Sequence, residues 1–373
     1  MSDAIQPIVM PKWGLAMQEG MVAQWHVEEG SKVSKGDEIM DIETSKIANI
    51  FESPVEGKLR RKVADDGETL PVGALMGVVA EDSVSDDDID AFVKDFQEAF
   101  AEQMAAMADG GGAEPETVEV GGHRIRYLKM GDADGPAVIF VHGFGGDLWT
   151  WMFNQEAAAE GHATYAIDLP GHGGSSKEMD GADVAALSKA VSGFMDAMGI
   201  EKAHLVGHSL GGAVSLNLAV TGPDKVASVT LVCPAGLGPD INMEYIEGFI
   251  REKRGKKLKP FLEMLVADPE IVTRDMVEDV LKYKRMDGVE AALNALSSAN
   301  FSGGAQALDL SGKLGDVSAP VQVIWGKQDK IVPAKHAEAV PSSVKVTIFD
   351  DAGHLAHMEK SAETNALIKE IAG

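Results

Sequence analysis

The stretch Ala203-His204-Leu205-Val206-Gly207-His208-Ser209-Leu210-Gly211-Gly212-Ala213 constrains this chain more than any other. Residues 203–206 are mostly apolar and read as a buried parallel strand, and residues 210–220 read as an apolar, alanine-rich helix. Only Gly207-His208-Ser209 separates them, so the chain must turn sharply there. A strand–turn–helix of this pattern lifts a serine hydroxyl to its tip, because the flanking glycines have no Cβ to obstruct a strained backbone. Ser209 is therefore the candidate nucleophile. The competing reading is an ordinary turn whose serine caps the helix.

The surroundings of the elbow repeat its logic. From residue 117 onward, strands and helices alternate, which predicts an α/β domain with a mainly parallel sheet. Residues 117–120 and 123–130 flank Gly121-Gly122 as a hairpin. Residues 137–141 form a buried strand that ends in His142-Gly143-Phe144-Gly145-Gly146, and 164–167 lead into Asp168-Leu169-Pro170-Gly171-His172-Gly173. An amphipathic helix over 182–198 precedes the elbow. Residues 234–314 are mostly helical in pattern; strands resume at 321–325 and 344–349, and a helix over about 359–371 closes the chain.

Residues 117–373 resemble the α/β-hydrolases, with a helical cap inserted after the sixth strand. The resemblance rests on His142-Gly143-Phe144-Gly145, Gly207-His208-Ser209-Leu210-Gly211, Trp325-Gly326-Lys327-Gln328-Asp329 and Gly353-His354, in that order. Serine is a poor nucleophile at neutral pH and requires a base. The resemblance assigns that role to His354 and makes Asp329 the acid that orients it, in the chain order Ser…Asp…His that this fold uses. It makes the backbone N–H groups of Phe144 and Leu210 the oxyanion hole. Rivals are His357 for the base and Asp240, which follows the sixth strand, for the acid. His208 is expected to pack beside the elbow, and Asp168 and His172 to shape a loop. Cys233, the single cysteine, reads as a packed small residue rather than a second nucleophile.

Residues 7–81 are a different unit, with short β-type segments broken by Gly, Pro and Asp. Two strand-like runs flank Thr44-Ser45-Lys46, which places the lysine at an exposed hairpin tip; taken alone, it is a solvated turn residue. This unit resembles lipoyl domains, flattened β-barrels that carry lipoate on a hairpin lysine. The residues that bear the resemblance are Glu43-Thr44-Ser45-Lys46, Gly30-Ser31-Lys32-Val33, Lys35-Gly36-Asp37 and Ser53-Pro54-Val55-Glu56-Gly57. Ser45 stands where lipoyl domains usually have Asp. The related biotinyl domains carry Met on both sides of their lysine, which Ser45 and Ile47 do not match. The resemblance thus implies lipoate in amide linkage to Lys46.

Residues 82–116 read as an acidic linker, with ten Asp or Glu and one Lys over 83–117, a net charge of −9. Within it, Ser85-Asp86-Asp87-Asp88 is a capping start, and Ile89, Phe92, Val93, Phe96, Phe100, Met104 and Met107 recur at helical spacing before Gly110-Gly111-Gly112. Three aromatics on one stripe require cover. The expectation is that they pack on the hydrolase domain or on a second copy, the alternative being a docking helix for another enzyme.

Composition narrows the partners. The 373-residue chain carries a formal charge of −26, which argues against nucleic acid and anionic membrane. The single cysteine fits a reducing compartment; no apolar run approaches a membrane span, and residues 1–10 lack the features of a signal peptide. A cytoplasmic location is expected. Against this acidity, Arg251-Glu252-Lys253-Arg254-Gly255-Lys256-Lys257-Leu258-Lys259 holds six cations and one anion, +5 net, in the cap. It reads either as a solvated helix face or as a dock for the phosphates of an anionic substrate such as coenzyme A.

A lipoyl carrier fused to a serine α/β-hydrolase resembles the acyltransferase components of acetoin-cleaving complexes. That resemblance implies a dihydrolipoyllysine-residue acetyltransferase that moves acetyl from the lipoyl arm of Lys46 to coenzyme A. It also implies a thiamine-diphosphate-dependent acetoin dehydrogenase component and a dihydrolipoamide dehydrogenase as partners, with self-association of this chain and no metal. Two alternatives stay open: a serine esterase or thioesterase that uses its lipoyl domain for recruitment, and a non-catalytic lipoyl carrier or scaffold.

Overall fold

Two units divide the computed structural model, Met1–Gly112 and Ala113–Gly373. The structure describes residues 5–11, 19–43, 48–106 and 113–373. In the first unit, turn residues interrupt every apolar run after a few positions, so only short strands form. They are β1 (Ile5–Val9), β2 (Glu19–Trp25), β3 (Lys32–Val33), β4 (Glu38–Glu43), β5 (Ala48–Glu52), β6 (Gly57–Lys62), β7 (Glu68–Pro71) and β8 (Leu75–Ala80). They make two four-stranded antiparallel sheets, ordered β1-β8-β6-β3 and β5-β4-β2-β7. Ile8, Val22, Trp25, Ile39, Ile42, Leu59, Met76 and Val79 bury their side chains in one apolar cluster. Gly30 and Gly57, both within the segments that resemble lipoyl domains, have φ of +89° and +145°, values an L side chain rarely adopts. Glu43 stands opposite Ala48, so β4 and β5 end side by side on either side of residues 44–47. Those four residues, with Lys46, lie outside the described residues.

The acidic helix packs on the first unit. α1 (Asp86–Ala106) lays Ile89, Phe92, Val93 and Phe96 on Leu75, Val78 and Ala80 of β8. This corrects the expectation that its stripe packs on the hydrolase domain or a second copy, or waits as a docking helix for another enzyme. The reason is visible in β8, whose six residues are all buried, since one face fills the barrel and the other needs a lid. Charge sets the helix in place: Arg60 pairs with Asp86 at 2.8 Å, Lys58 with Asp82 at 2.7 Å, and Arg61 with Asp90. The start is capped as expected, with the Ser85 hydroxyl accepting from the Asp88 N–H at 3.1 Å. Met107 and Gly110-Gly111-Gly112 lie outside the described residues.

The second unit opens with β9 (Glu116–Val120) and β10 (His123–Met130), joined at Gly121 and Gly122 with φ of +59° and +87°. Two consecutive positive φ values suit a two-residue hairpin that follows the strand twist. β11 (Ala137–Val141), α2 (Gln155–Ala159), β12 (Thr164–Ile167), α3 (Val184–Ala197), β13 (Ala203–His208), α4 (Leu210–Thr221) and β14 (Val226–Val232) then alternate. Four cap helices follow, α5 (Met243–Arg251), α6 (Gly255–Leu262), α7 (Arg274–Lys284) and α8 (Val289–Asn300), before β15 (Val321–Gly326), β16 (Lys345–Phe349), α9 (Ala356–Glu359) and α10 (Ser361–Ala372). The eight strands run β16-β15-β14-β13-β11-β12-β10-β9, with β11 to β16 parallel and β10 antiparallel to both neighbours. Helices cover both faces, so β11, β12 and β13 are buried along their whole length. In such a sheet, the loops beyond the carboxyl ends of the strands gather the functional groups. Among the described residues, no helix is long and apolar enough to cross a membrane.

Candidate active site

Ser209 links β13 to α4 with φ of +52° and ψ of −117°, a conformation that costs a non-glycine residue on the order of 1–3 kcal/mol. Close packing enforces it. A Cβ on Gly207 would lie 2.3 Å from the Gly211 carbonyl, and one on Gly211 would lie 2.2 Å from that of Val141. The serine makes no side-chain hydrogen bond to the helix it precedes, so the capping alternative fails. A Cβ on Gly143 would lie 2.9 Å from that of Ser209, which brings the loop after β11 against the elbow. No acceptor for the N–H of Phe144 or Leu210 is present among the described residues. Both groups are therefore free to face developing negative charge.

The two other motifs meet in one buried pair. His354 Nδ1 donates to Asp329 Oδ2 at 2.8 Å, with both side chains almost wholly buried. Asp329 Oδ1 accepts from the N–H of Ile331 at 2.8 Å and Val332 at 2.9 Å, while Trp325 Nε1 donates to Oδ2 at 3.2 Å. Four donors thus converge on one buried carboxylate, and its orientation is fixed. The loops that carry the pair touch at their glycines, since a Cβ on Gly326 would lie 2.0 Å from the Gly353 carbonyl. His208 Nε2 donates to the His354 carbonyl at 2.9 Å, with the rings 4.7 Å apart, and this ties the histidine loop to the elbow.

Rival residues fall elsewhere. Asp240 is held by Lys335 at 2.9 Å and by His336 at 3.1 Å. His357 is buried between the rings of Trp151 and His208, at 4.3 and 4.7 Å. Asp168 shapes a loop: it accepts from Arg126 Nε at 2.6 Å, the Gly174 N–H at 2.6 Å and the Leu148 N–H at 2.8 Å. The His172 ring stands edge-on to His142 at 4.8 Å. Cys233 is buried, and burial, followed by the charge of Asp329, pushes its thiol well above the usual range, where it is a poor nucleophile. Among the described residues, Cys233, Asp329 and His354 are the one trio of groups near enough to share a metal ion, and two of them already bond to each other.

Two further residues support the pair. Trp325 lies in a quoted motif, yet its indole role depends on the Asp329 loop folding back over it. Glu359 accepts from the Gly353 N–H at 2.8 Å and the Ala267 N–H at 2.7 Å, so it ties the histidine loop to the cap. Its partner Ala267 is remote in sequence, and no local pattern announces the contact.

Burial keeps several histidines of this unit neutral. His357 is lowered to about 3 and His204 to about 4, and burial also lowers His142, His172 and His208. Unfolding returns each to about 6.5, so the unfolded chain binds more protons below that pH. Their contribution is complete above pH ~6.5 and is lost as pH falls toward the folded values, at up to about 1.4 kcal/mol per pH unit for each histidine. Thermal unfolding of the second unit should therefore shift steeply downward between about pH 6.5 and 4. His357→Phe should flatten that slope, and identical slopes in the two proteins would contradict this origin.

Residues 136–361 match the α/β-hydrolase-fold family, and residues 6–79 match the family described as "Biotin-requiring enzyme". Across its full length, the chain is 46% identical to the dihydrolipoyllysine-residue acetyltransferase component of the acetoin cleaving system of Cupriavidus necator, of which it covers 98%. The component of the same name from Pseudomonas putida is 45% identical over 97% of this chain and 96% of its own length. Among solved structures, a meta-cleavage product hydrolase from Pseudomonas fluorescens IP01 superposes with a TM-score of 0.62 over 69% of this chain and 96% of that one. At 20% identity, that likeness speaks to the fold alone.

Proposed function

The chain belongs to the α/β-hydrolase-fold dihydrolipoyllysine-residue acetyltransferase components of acetoin-cleaving systems, and on that premise we propose that Ser209, His354 and Asp329 pass acetyl from a lipoyl thioester to coenzyme A. The observation that carries the assignment is the buried His354–Asp329 bond at 2.8 Å, in a chain whose Ser209 is held at φ of +52°. It leaves His354 Nε2 without a partner among the described residues, as the ring nitrogen able to accept a proton.

Lys46, between the paired ends of β4 and β5, is the residue that would carry lipoate. Once attached, that group supplies a thiol that holds acetyl as a thioester. The protein's residues do the rest. His354 Nε2 takes the Ser209 proton as Oγ attacks the thioester carbonyl carbon, and the Phe144 and Leu210 N–H groups stabilise the oxyanion. Asp329 stabilises the imidazolium, which returns its proton to the departing thiol as the C–S bond breaks. Acetyl then rests on Ser209 Oγ. The coenzyme A thiol gives its proton to His354, attacks the ester, and leaves as acetyl-CoA while Ser209 regains its proton. The cap helices α5 to α8 keep water from the ester.

The protein is one component of a multienzyme system, as its relatives are named. A thiamine-diphosphate-dependent component would supply the acetyl, and a dihydrolipoamide dehydrogenase would reoxidise the dithiol. The test is direct: S-acetyldihydrolipoamide and coenzyme A are given to the purified protein. Acetyl-CoA is expected. Free acetate as the sole product would favour a thioesterase, and no turnover would favour a carrier.

A further inference from the structure

One charge feature stands outside the Ser209 site. In a chain of net charge −26, residues 251–259 carry +5 across the end of α5 and the start of α6. Three of these cations are neutralised locally. Arg251 pairs with Glu252 at 2.9 Å, Lys253 with Glu290 at 2.7 Å, and Lys259 with Glu263 at 3.3 Å. Arg254, Lys256 and Lys257 are exposed and have no ion pair among the described residues. Three unpaired cations this close repel one another, and an anion would relieve that repulsion.

A cavity of about 710 Å³ has Lys253, Lys284, Arg285, Asp287 and Glu290 in its walls, and Arg254, Lys256 and Lys257 are not among its lining residues. Lys253 belongs to both the basic run and the cavity. Lys284 donates to the carbonyls of Phe249 and Glu252 and lies 5.1 Å from the Phe249 ring centre. Phe249 in turn meets Phe144, with the ring centres 6.1 Å apart, and presses on Gly145, where a Cβ would lie 2.5 Å from the ring. One aromatic ring therefore separates the cationic cavity wall from the loop assigned to the oxyanion hole. A ligand that suits this layout has a polyanionic head and a thin arm ending in a reactive group.

We propose that Arg254, Lys256 and Lys257, with Arg285 of the cavity that shares Lys253 with this run, bind the diphosphate and 3′-phosphate of coenzyme A. The thiol arm extends from there toward the buried Phe249–Phe144 contact that borders the loop after β11. This rests on coenzyme A being the acceptor. Guanidinium and ammonium groups are the usual partners of phosphate oxygens, and a local positive field is needed to draw a polyanion to so acidic a protein.

Pantetheine, which has the same thiol arm and no phosphate, separates the head from the arm. With the full-length protein and free S-acetyldihydrolipoamide as donor, kcat/KM is measured for coenzyme A and for pantetheine. In the triple variant Arg254→Ala/Lys256→Ala/Lys257→Ala, the preference for coenzyme A over pantetheine should fall by about 10²-fold. Lys256→Arg/Lys257→Arg should keep most of that preference, and the KM for coenzyme A should rise with salt in the wild type and much less in the triple variant. An unchanged preference, with both acceptors turned over, overturns the phosphate site and leaves the Ser209 chemistry standing. A wild type that makes acetate and no acetyl-CoA overturns the acceptor itself. Loss of activity confined to protein-bound donors would instead make the cluster a docking face for an acidic protein.

Discussion

Ser209→Ala is expected to lower acetyl transfer from S-acetyldihydrolipoamide to coenzyme A on the order of 10⁴-fold, about 5 kcal/mol of transition-state stabilisation. The loss should appear in kcat and in kcat/KM alike, because the hydroxyl acts in the transition state rather than in ground-state binding. Folding should survive. Alanine keeps the Cβ and adds no atom, and the hydroxyl makes no side-chain hydrogen bond to α4. Near-wild-type melting, combined with the loss of turnover, assigns the effect to chemistry. The alternative route, in which His354 deprotonates the coenzyme A thiol for direct attack on the thioester, predicts that Ser209→Ala keeps most of its activity.

Asp329→Asn should cost roughly 10³–10⁴-fold in kcat, although it is nearly isosteric. The carboxylate accepts on both oxygens: two backbone N–H groups on Oδ1, and His354 Nδ1 with Trp325 Nε1 on Oδ2. An amide has a single acceptor oxygen. The N–H groups of Ile331 and Val332 hold that oxygen in the Oδ1 position, so the new NH₂ faces two donors. His354 must then turn its proton to Nε2 so that Nδ1 can accept, and the ring arrives at Ser209 unable to act as a base. Asp240→Asn is the matching control. It removes an exposed carboxylate paired with Lys335 and His336, and should change turnover by less than about twofold. A large loss at Asp240 and a small one at Asp329 would exchange their roles.

What could be read from the amino-acid sequence follows the reach of each contact. The elbow was legible because its constraints are local: glycines at 207 and 211 are required by carbonyls in the same turn and the adjacent strand. The Gly121-Gly122 hairpin and the Ser85 cap were legible for the same reason. The helical stripe at Ile89, Phe92, Val93 and Phe96 announced that it needed cover, but could not say by what. β8 held that answer, since Leu-Met-Gly-Val-Val-Ala is apolar on both faces and one of them had to meet a helix. Asp329 was preferred to Asp240 on the resemblance alone; the contact of its loop with Gly353, between segments far apart in the chain, was not legible. Glu359 and Phe249 act in the same way, as they join the cap to the catalytic loops through groups that no short motif contains.

The most direct measurement omits the acceptor. Full-length protein is mixed rapidly with S-acetyldihydrolipoamide, quenched in acid before water can compete, digested and examined by mass spectrometry. The ester route predicts one acetyl group on the peptide that contains Ser209, absent from Ser209→Ala and from His354→Ala, and discharged to acetyl-CoA when coenzyme A is added before the quench. Acetyl-CoA formed at full rate from a protein whose Ser209 never carries acetyl would contradict it.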